Sequence, residues 1–245
     1  MSPTIPPGYA LAHTTVVRRL ARKIERHFQA KLHGTEHLPA SGGALLVGNH
    51  AYVGVDSWIL SALLISECDL VPRFLGDRNL WRIPVVKQFL TSFGAIPGQP
   101  DDAIELLRAK YKVIVYPGGI DDSFKLSSQA YTLQWNKRAG FARVAMRAQV
   151  PIIPVAATGI DELFQLEERE SLLGRMFAGS SRYDIPIPTS LNPARVPLDY
   201  YLLPPIDTAG DPANDADVER VRSATENAIR HVLDAYRERL EQRSG

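Results

Sequence analysis

Residues 48–56 read Gly48-Asn49-His50-Ala51-Tyr52-Val53-Gly54-Val55-Asp56. The apolar residues 44–47 precede this stretch, and their length and bounding glycines are typical of a buried strand. Residues 57–65 follow it and are apolar over enough length for a buried helix. The stretch therefore predicts a histidine where a strand ends and a carboxylate where a helix begins. In open α/β sheets, ligands bind at that edge.

His50 and Asp56 could act as a general base and its orienting partner. A neutral imidazole, with an unperturbed pKa of about 6.5, can take a proton from a hydroxyl near neutral pH. A carboxylate on the other ring nitrogen fixes the tautomer and stabilises the imidazolium that forms. Plainer roles fit as well, because Asp is a favoured helix N-cap and His50 can be a hydrogen-bonded loop residue. The stretch alone leaves both interpretations open.

The composition is that of a globular protein. Of its 245 residues, 45% are hydrophobic and 22% are charged, which allows a sizeable core in one α/β domain with an added helical piece. The net charge of +1 gives no overall field for nucleic acid, so no nucleic-acid partner is expected. Cys68 is the single cysteine and fits a reducing compartment. The histidines are not clustered at ligand spacing, so no metal site is expected.

The N-terminal region predicts a surface helix and no membrane span. No stretch reaches about 18 uninterrupted apolar residues, and residues 1–8 lack the apolar core of a signal peptide. From about Thr14 the pattern predicts an amphipathic helix, whose apolar face consists of Val17, Leu20, Ile24 and Phe28. Its polar face could lie on an anionic membrane or be solvated on a docked helix. That face carries Glu25 and the basic residues Arg18, Arg19, Arg22, Lys23 and Arg26.

Strand and helix patterns alternate through the middle of the chain. The expected strands are residues 44–47, 70–75, 93–97, 112–116 and 150–156, and the expected helices follow Asp56 or cover residues 85–90, 103–108 and 136–147. This alternation predicts an α/β fold with a mixed, largely parallel sheet flanked by helices. Residues 200–203 predict one more strand, and a long closing helix is expected from Asp215.

Four short motifs stand in a fixed order along the chain. They are GNHAYVGVD (48–56), FGAIPGQPDDA (93–103), VIVYPGG (113–119) and PIIPVAATG (151–159). In this order and spacing they resemble the glycerolipid and phospholipid acyltransferase superfamily, the lysophosphatidic acid acyltransferase-like proteins. The similarity is greatest to the monoacylglycerol and diacylglycerol acyltransferase-like branch, and the WNKRAGFARVA segment (135–145) is typical of that branch. The resemblance covers residues 34 to 206.

The resemblance implies both a fold and an activity. The fold would be glycerol-phosphate acyltransferase-like, with residues 1–33 as an arm and basic helix and residues 34–245 as one acyltransferase domain. The activity would be O-acyl transfer from acyl-CoA or acyl-ACP to a hydroxyl of a glycerol-based lipid. No cofactor is implied beyond that co-substrate. The protein would be cytoplasmic and peripheral on the inner face of a membrane, held there by the basic helix.

The resemblance also assigns residues. His50 would be the general base, and Asp56 would orient it and balance its charge. Backbone amides near Gly118 and Gly119, and the Arg78 side chain, are candidate donors to the developing oxyanion. A tight turn and a surface arginine are the plainer alternatives. The residues implied in substrate binding are Asn49, Arg78, Pro117, Gly118, Gly119, Asp122 and Arg138.

Three departures from the family pattern affect these expectations. Five residues rather than the commoner four separate His50 from Asp56, so the loop must bulge for the pair to meet. Residues 94–100 lack the family's phosphate-contacting arginine, which disfavours a phosphorylated acceptor. Asp121 and Asp122 stand where the third motif often has glutamate.

Two other functions remain open on the sequence. The altered motifs are compatible with a non-catalytic lipid-binding protein on the same fold. Water could also replace the alcohol, which would make the protein an acyl-thioester hydrolase. A serine hydrolase is disfavoured because the sequence has no G-x-S-x-G elbow.

Overall fold

The structure, a computed structural model, describes residues 15–76, 81–82, 84–92, 94–167 and 186–244. The strands in these ranges are β1 (Ala30–His33), β2 (Ala44–Gly48), β3 (Arg73–Gly76), β4 (Ala95–Pro97), β5 (Lys112–Val115), β6 (Ile152–Thr158) and β7 (Leu198–Leu202). The helices are α1 (Thr15–Phe28), α2 (Val55–Cys68), α3 (Pro84–Ser92), α4 (Pro100–Arg108), α5 (Gly119–Ser123), α6 (Gly140–Ala148) and α7 (Asp215–Ser244).

The strands form one seven-stranded sheet in the order β1-β7-β6-β2-β5-β3-β4. The pairs from β6 to β4 are parallel, β7 runs antiparallel to β6, and β1 runs parallel to β7. The α/β class with a mixed, largely parallel sheet and a C-terminal closing helix is therefore confirmed. None of the helices in the described ranges has the length and apolar character needed to cross a bilayer.

Both faces of the sheet are buried, because successive side chains of a strand point to opposite faces. In β2, Leu45 and Val47 enter the core shared with α4, α6 and α7. Ala44 and Leu46 enter the second core, against α2 and α1. All four side chains are fully buried, which explains why β2 reads as a continuous apolar run rather than an alternating one.

The expected elements differ from the observed ones mainly at their ends. β3 begins at Arg73, so residues 70–72 lie outside the strand. The helix expected from Asn136 begins at Gly140, because Asn136 and Lys137 both have positive φ. Two elements were not expected, namely β1 and the short helix α5.

The sheet topology brings three loops together at one edge. β6, β2 and β5 are neighbours and run parallel, so their carboxyl ends meet. The loop after β2 carries His50, the segment after β5 carries residues 116–125, and the turn after β6 carries Asp161. This edge is where the α/β architecture places a ligand site.

Candidate active site

The loop after β2 bulges where its extra residue requires it. Val53 (φ 48°) and Gly54 (φ 76°) are both in the left-handed region, which is unusual for a β-branched side chain. Gly54 is the N-cap residue of α2 and Asp56 is the second residue of that helix. Asp56 is therefore not the N-cap, and its carboxylate is turned back toward the loop.

His50 and Asp56 meet. The Nδ1 atom of His50 lies 3.0 Å from Oδ2 of Asp56, and Oδ1 of Asp56 accepts the Ala51 N–H at 2.9 Å. The Asp56 side chain is 1% exposed and the His50 side chain is 15% exposed. Since a carboxylate only accepts hydrogen bonds, Nδ1 carries the ring proton and donates it, which leaves Nε2 as a proton acceptor.

The Tyr116 ring lies against the His50 ring. The two ring centroids are 4.2 Å apart and the planes differ by 13°, so the rings are stacked. Burial, together with the charge of Asp56, raises the pKa of the Tyr116 phenol well above its ordinary value. The phenol is therefore neutral at physiological pH, and its ring forms an uncharged platform for the imidazole.

A cavity of about 600 Å³ opens beside His50, within the range of about 300–1,000 Å³ that small-molecule pockets occupy. Its walls are predominantly apolar, and Trp58, Phe74, Val115 and Phe141 contribute to them. None of its described lining residues is Asp, Glu, Lys or Arg. Within the described part of the chain, no group of three or more His, Cys, Asp or Glu residues could hold a metal ion.

The Pro117-Gly118-Gly119 turn packs tightly under the loop. A Cβ atom at Gly118 would lie 2.2 Å from Cβ of Asp122, so only glycine fits there. The Gly119 N–H donates to the Tyr116 carbonyl at 3.0 Å and is thus engaged in the turn. The Arg138 guanidinium donates to the carbonyls of Pro117 (3.1 Å) and Gly118, and it pairs with Asp121. Arg138 thus holds the turn.

Asn49 and Asp122 are buried beneath the site, and their polar atoms bind protein groups. The Asn49 side chain donates to the Ala157 carbonyl at 3.0 Å and accepts the Ala157 N–H at 2.9 Å. Asp122 accepts the N–H groups of His50 (3.0 Å) and Gln134 (3.2 Å). These contacts tie the loop to β6 and α5. Arg78 lies outside the described residues.

Sequence reasoning missed Lys125 and Asp161. The Lys125 ammonium donates to the His50 carbonyl at 2.8 Å, and it lies 3.1 Å from Asp161 and 3.4 Å from Asp122. The three-residue step from Asp122 to Lys125 was a weak available signal, because such a pair can meet on one helical turn. Asp161 follows β6, and only the sheet order places it beside the loop after β2.

Burial and neighbouring charges shift the pKa values of Lys125 and Asp161. Burial alone lowers the pKa of the Lys125 ammonium, but the charges of Asp161 and Asp122 outweigh burial and leave that pKa above its ordinary value. Burial raises the pKa of the Asp161 carboxyl, and the nearby Lys125 ammonium offsets part of that rise. Lys125 is therefore charged throughout the physiological range.

A solved structure shares this fold. The 1-acyl-sn-glycerophosphate (LPA) acyltransferase PlsC from Thermotoga maritima superposes with a TM-score of 0.59 over 92% of this chain and 83% of its own, at 17% sequence identity.

Sequence relatives align over most of the chain. A human protein described as a DGAT1/2-independent enzyme synthesizing storage lipids is 28% identical over 206 residues, which are 84% of this chain and 61% of the relative. An uncharacterized protein of Mycobacterium tuberculosis is 29% identical over an alignment of 236 residues, and the match covers 90% of this chain and 64% of that protein. The chain thus spans about three fifths of the length of these relatives.

The family assignment follows from a sequence profile. The profile described as Acyltransferase matches residues 29–158, which include β2, the His50 loop, the Pro-Gly-Gly turn and β6. That segment is more than half of the 245 residues. The chain therefore belongs to the acyltransferase family, as its four ordered motifs indicated.

Proposed function

We propose that the protein transfers a fatty acyl group from an acyl thioester, acyl-CoA or acyl-ACP, to a hydroxyl of a glycerol-based lipid. The observation that carries this proposal is the His50–Asp56 pair bordering an apolar cavity of about 600 Å³. An imidazole fixed in one tautomer supplies the base, and the cavity supplies room for an acyl chain. The family assignment supports the reaction class.

The proposed reaction needs one base and no external reactant. Nε2 of His50 takes the proton of the acceptor hydroxyl as the oxygen attacks the thioester carbonyl carbon. The new C–O bond forms, and the tetrahedral oxyanion collapses and breaks the C–S bond. The thiolate then takes the proton from the His50 imidazolium, so that ester and thiol leave. Asp56 holds the imidazole and stabilises its charged form, as in other base–carboxylate pairs.

We further propose that the acceptor is uncharged, such as a monoacylglycerol or a diacylglycerol. A phosphate in a low-dielectric cavity needs a paired cation, and no Lys or Arg is found among the described lining residues. Gly98, Gln99 and Pro100 line the cavity where the family's phosphate-contacting arginine would be expected. The storage-lipid synthesis named for the human relative supports the same class of acceptor.

The experiment measures transfer from a radiolabelled acyl-CoA, and in parallel acyl-ACP, to monoacylglycerol, diacylglycerol, glycerol 3-phosphate and lysophosphatidic acid. We expect ester formation with the uncharged acceptors. General-base catalysis supplies about 10²–10⁴-fold, so His50→Ala should lower the turnover rate at least ~100-fold.

His33→Ala is the matched control. His33 also pairs with an aspartate, since its Nε2 lies 2.7 Å from Oδ1 of Asp199, but it lies on the edge strand β1, which β7 and β6 separate from β2. This variant should keep the native rate. Equal ester yields from His50→Ala and native protein would refute the role of His50. Thiol release without ester would indicate a hydrolase, and lipid binding without turnover would indicate a non-catalytic lipid-binding protein.

A further inference from the structure

The backbone N–H and carbonyl groups of both His50 and Ala51 form hydrogen bonds with side chains. Asp122 accepts the His50 N–H at 3.0 Å, and Lys125 donates to the His50 carbonyl at 2.8 Å. Asp56 accepts the Ala51 N–H, and Ser123 donates to the Ala51 carbonyl, both at 2.9 Å. Apart from Asp56, these partners belong to the segment that follows the Pro-Gly-Gly turn.

The only buried cation in this arrangement is Lys125. Its side chain is 4% exposed, that of Asp122 is 0% exposed and that of Asp161 is 6% exposed. Removing ions from water is costly, and buried ion pairs often give no net stability compared with apolar side chains. Stability is therefore a weak reason for an ammonium at this position. The hydrogen bond from the Lys125 ammonium to the His50 carbonyl is a more specific reason.

We propose that Lys125 is a positioning residue for acyl transfer: held by Asp122 and Asp161, its ammonium fixes the His50 backbone so that Nε2 points at the reacting atoms. The inference deepens the proposed function and rests on it. Lys125 is not among the residues that line the large cavity. It therefore acts through His50 and does not bind the acyl chain or the acceptor.

The expected effect is on turnover and not on substrate binding. A displacement of about 1 Å at a reacting group can cost roughly 10²-fold in rate. Lys125→Met keeps the volume and removes the ammonium, so kcat should fall on the order of 100-fold. The KM for acyl-CoA should stay within about twofold, because the cavity walls are unchanged.

Lys112→Met is the matched control. Lys112 is also buried, at 8% exposure, and its ammonium also donates to a backbone carbonyl, that of Gly42, at 2.6 Å. It begins β5, at the end of the strand away from Tyr116. Lys112→Met and Lys125→Met therefore both remove a buried ammonium, but Lys112 is not bonded to His50. We expect kcat of Lys112→Met to stay at the native value.

A double variant separates positioning from folding. Lys125→Met alone leaves two buried carboxylates without their cation and is expected to destabilise the protein. Lys125→Met with Asp161→Asn removes one charge of each sign, so we expect the melting temperature to recover. If Lys125 positions His50, kcat stays low in this stable variant, whereas a purely structural role predicts that kcat recovers with stability. Recovery of kcat would overturn the inference.

Two further readouts complete the test. Hydrogen exchange on the unaltered protein should show protected His50 and Ala51 amides, and exchange at the rate of a free loop would also refute the inference, whether or not the variants fold. The His50→Ala and His33→Ala pair is assayed alongside. Native activity in Lys125→Met with no activity in His50→Ala would refute the positioning role alone, whereas activity in both would refute the proposed function.

Discussion

At the scale of single residues, the pair of His50 and Asp56 depends on two residues in the left-handed region. The left-handed backbone of Val53 and Gly54 turns the loop, and α2 begins directly after it, at Val55. Asp56, in the first turn of α2, then faces the His50 ring. The longer spacing between the histidine and the aspartate is therefore compatible with their contact. Val53, a large apolar side chain that lines the cavity, is 55% exposed.

A second feature at the scale of single residues is the Tyr116 ring, which is stacked on the His50 ring. A cation over an aromatic ring gains about 0.5–2 kcal/mol, and His50 becomes a cation only as the proposed reaction proceeds. Tyr116→Leu should therefore lower kcat about tenfold, equivalent to ~1.4 kcal/mol. Tyr116→Phe keeps the ring and should lie close to the native rate.

Steady-state kinetics of both variants on the best acceptor check this prediction. The Phe variant is the control for the volume and burial of the side chain, because it lacks only the hydroxyl. If the Leu and Phe variants lose the same factor in kcat, the hydroxyl and not the ring platform matters at this position.

At the scale of elements, strands that are continuous apolar runs could be predicted from the sequence, and a short strand of mixed apolar and polar residues could not. β2, β5 and β6 are buried on both faces and were expected within two residues of their observed bounds. β1 alternates buried and exposed residues over only four positions, and its partner β7 is distant in sequence. A pattern that short does not distinguish a strand from a loop.

The same contrast applies to the site. His50 and Asp56 are six residues apart and bracket one turn, so the local sequence allowed their meeting, and the resemblance to the family assigned it. Lys125 and Asp161 reach His50 from the segments after β5 and β6, and only the strand order makes those segments neighbours. Local patterns do not contain that order.

Helix α1 is the expected amphipathic helix, but the assignment of Leu20 to its buried face was wrong. Val17, Ile24 and Phe28 are partly buried against the core, but Leu20 is 43% exposed. Ala21, at 3% exposure, takes the inward position, because α1 packs closely against α2 and a small side chain allows the approach. The apolar side of α1 therefore faces α2, and the basic side faces outward.

This orientation predicts how the protein would bind a membrane. Since the apolar side of α1, apart from Leu20, packs against the protein, we expect binding through α1 to be mainly electrostatic, at about 1 kcal/mol for each basic residue near anionic lipid. We expect co-sedimentation with liposomes that contain phosphatidylglycerol and a steep loss of binding with salt. Replacing the exposed basic residues Arg19, Arg22, Lys23 and Arg26 by Gln should weaken partitioning at least ~10-fold. Arg18 is kept because it pairs with Asp69.

The control removes the same charge from another helix. Gln replacements at Arg230, Arg237, Arg239 and Arg243 of α7 lower the net charge equally and leave α1 unchanged. Equal weakening in both variants would mean that binding follows overall charge. Unchanged binding in the α1 variant would exclude α1 as the membrane contact.

At the scale of the whole molecule, buried phenols link distant segments. Tyr131 and Tyr236 both donate to Glu162, at 2.6 and 2.9 Å, and this joins α7 to the turn after β6. Tyr200, 1% exposed, lies under α2, with its hydroxyl 3.3 Å from the Asp56 carbonyl. The closing helix, the sheet and the site are therefore coupled through groups that must stay protonated.

Alkaline pH should consequently unfold the protein steeply. Burial raises the pKa of Tyr131 and Tyr200 well above the ordinary value of 10, and burial with Glu162 raises that of Tyr236 to about 12. Above pH 10 the unfolded chain releases these protons and the folded protein keeps them, so the free energy of unfolding falls as pH rises, from pH 10 to beyond 12. Each fully buried phenol contributes up to about 1.4 kcal/mol per pH unit. Urea unfolding across pH 7–12 should show this slope, Tyr200→Phe should reduce it by one phenol's share, and an unchanged slope in that variant would contradict the assignment.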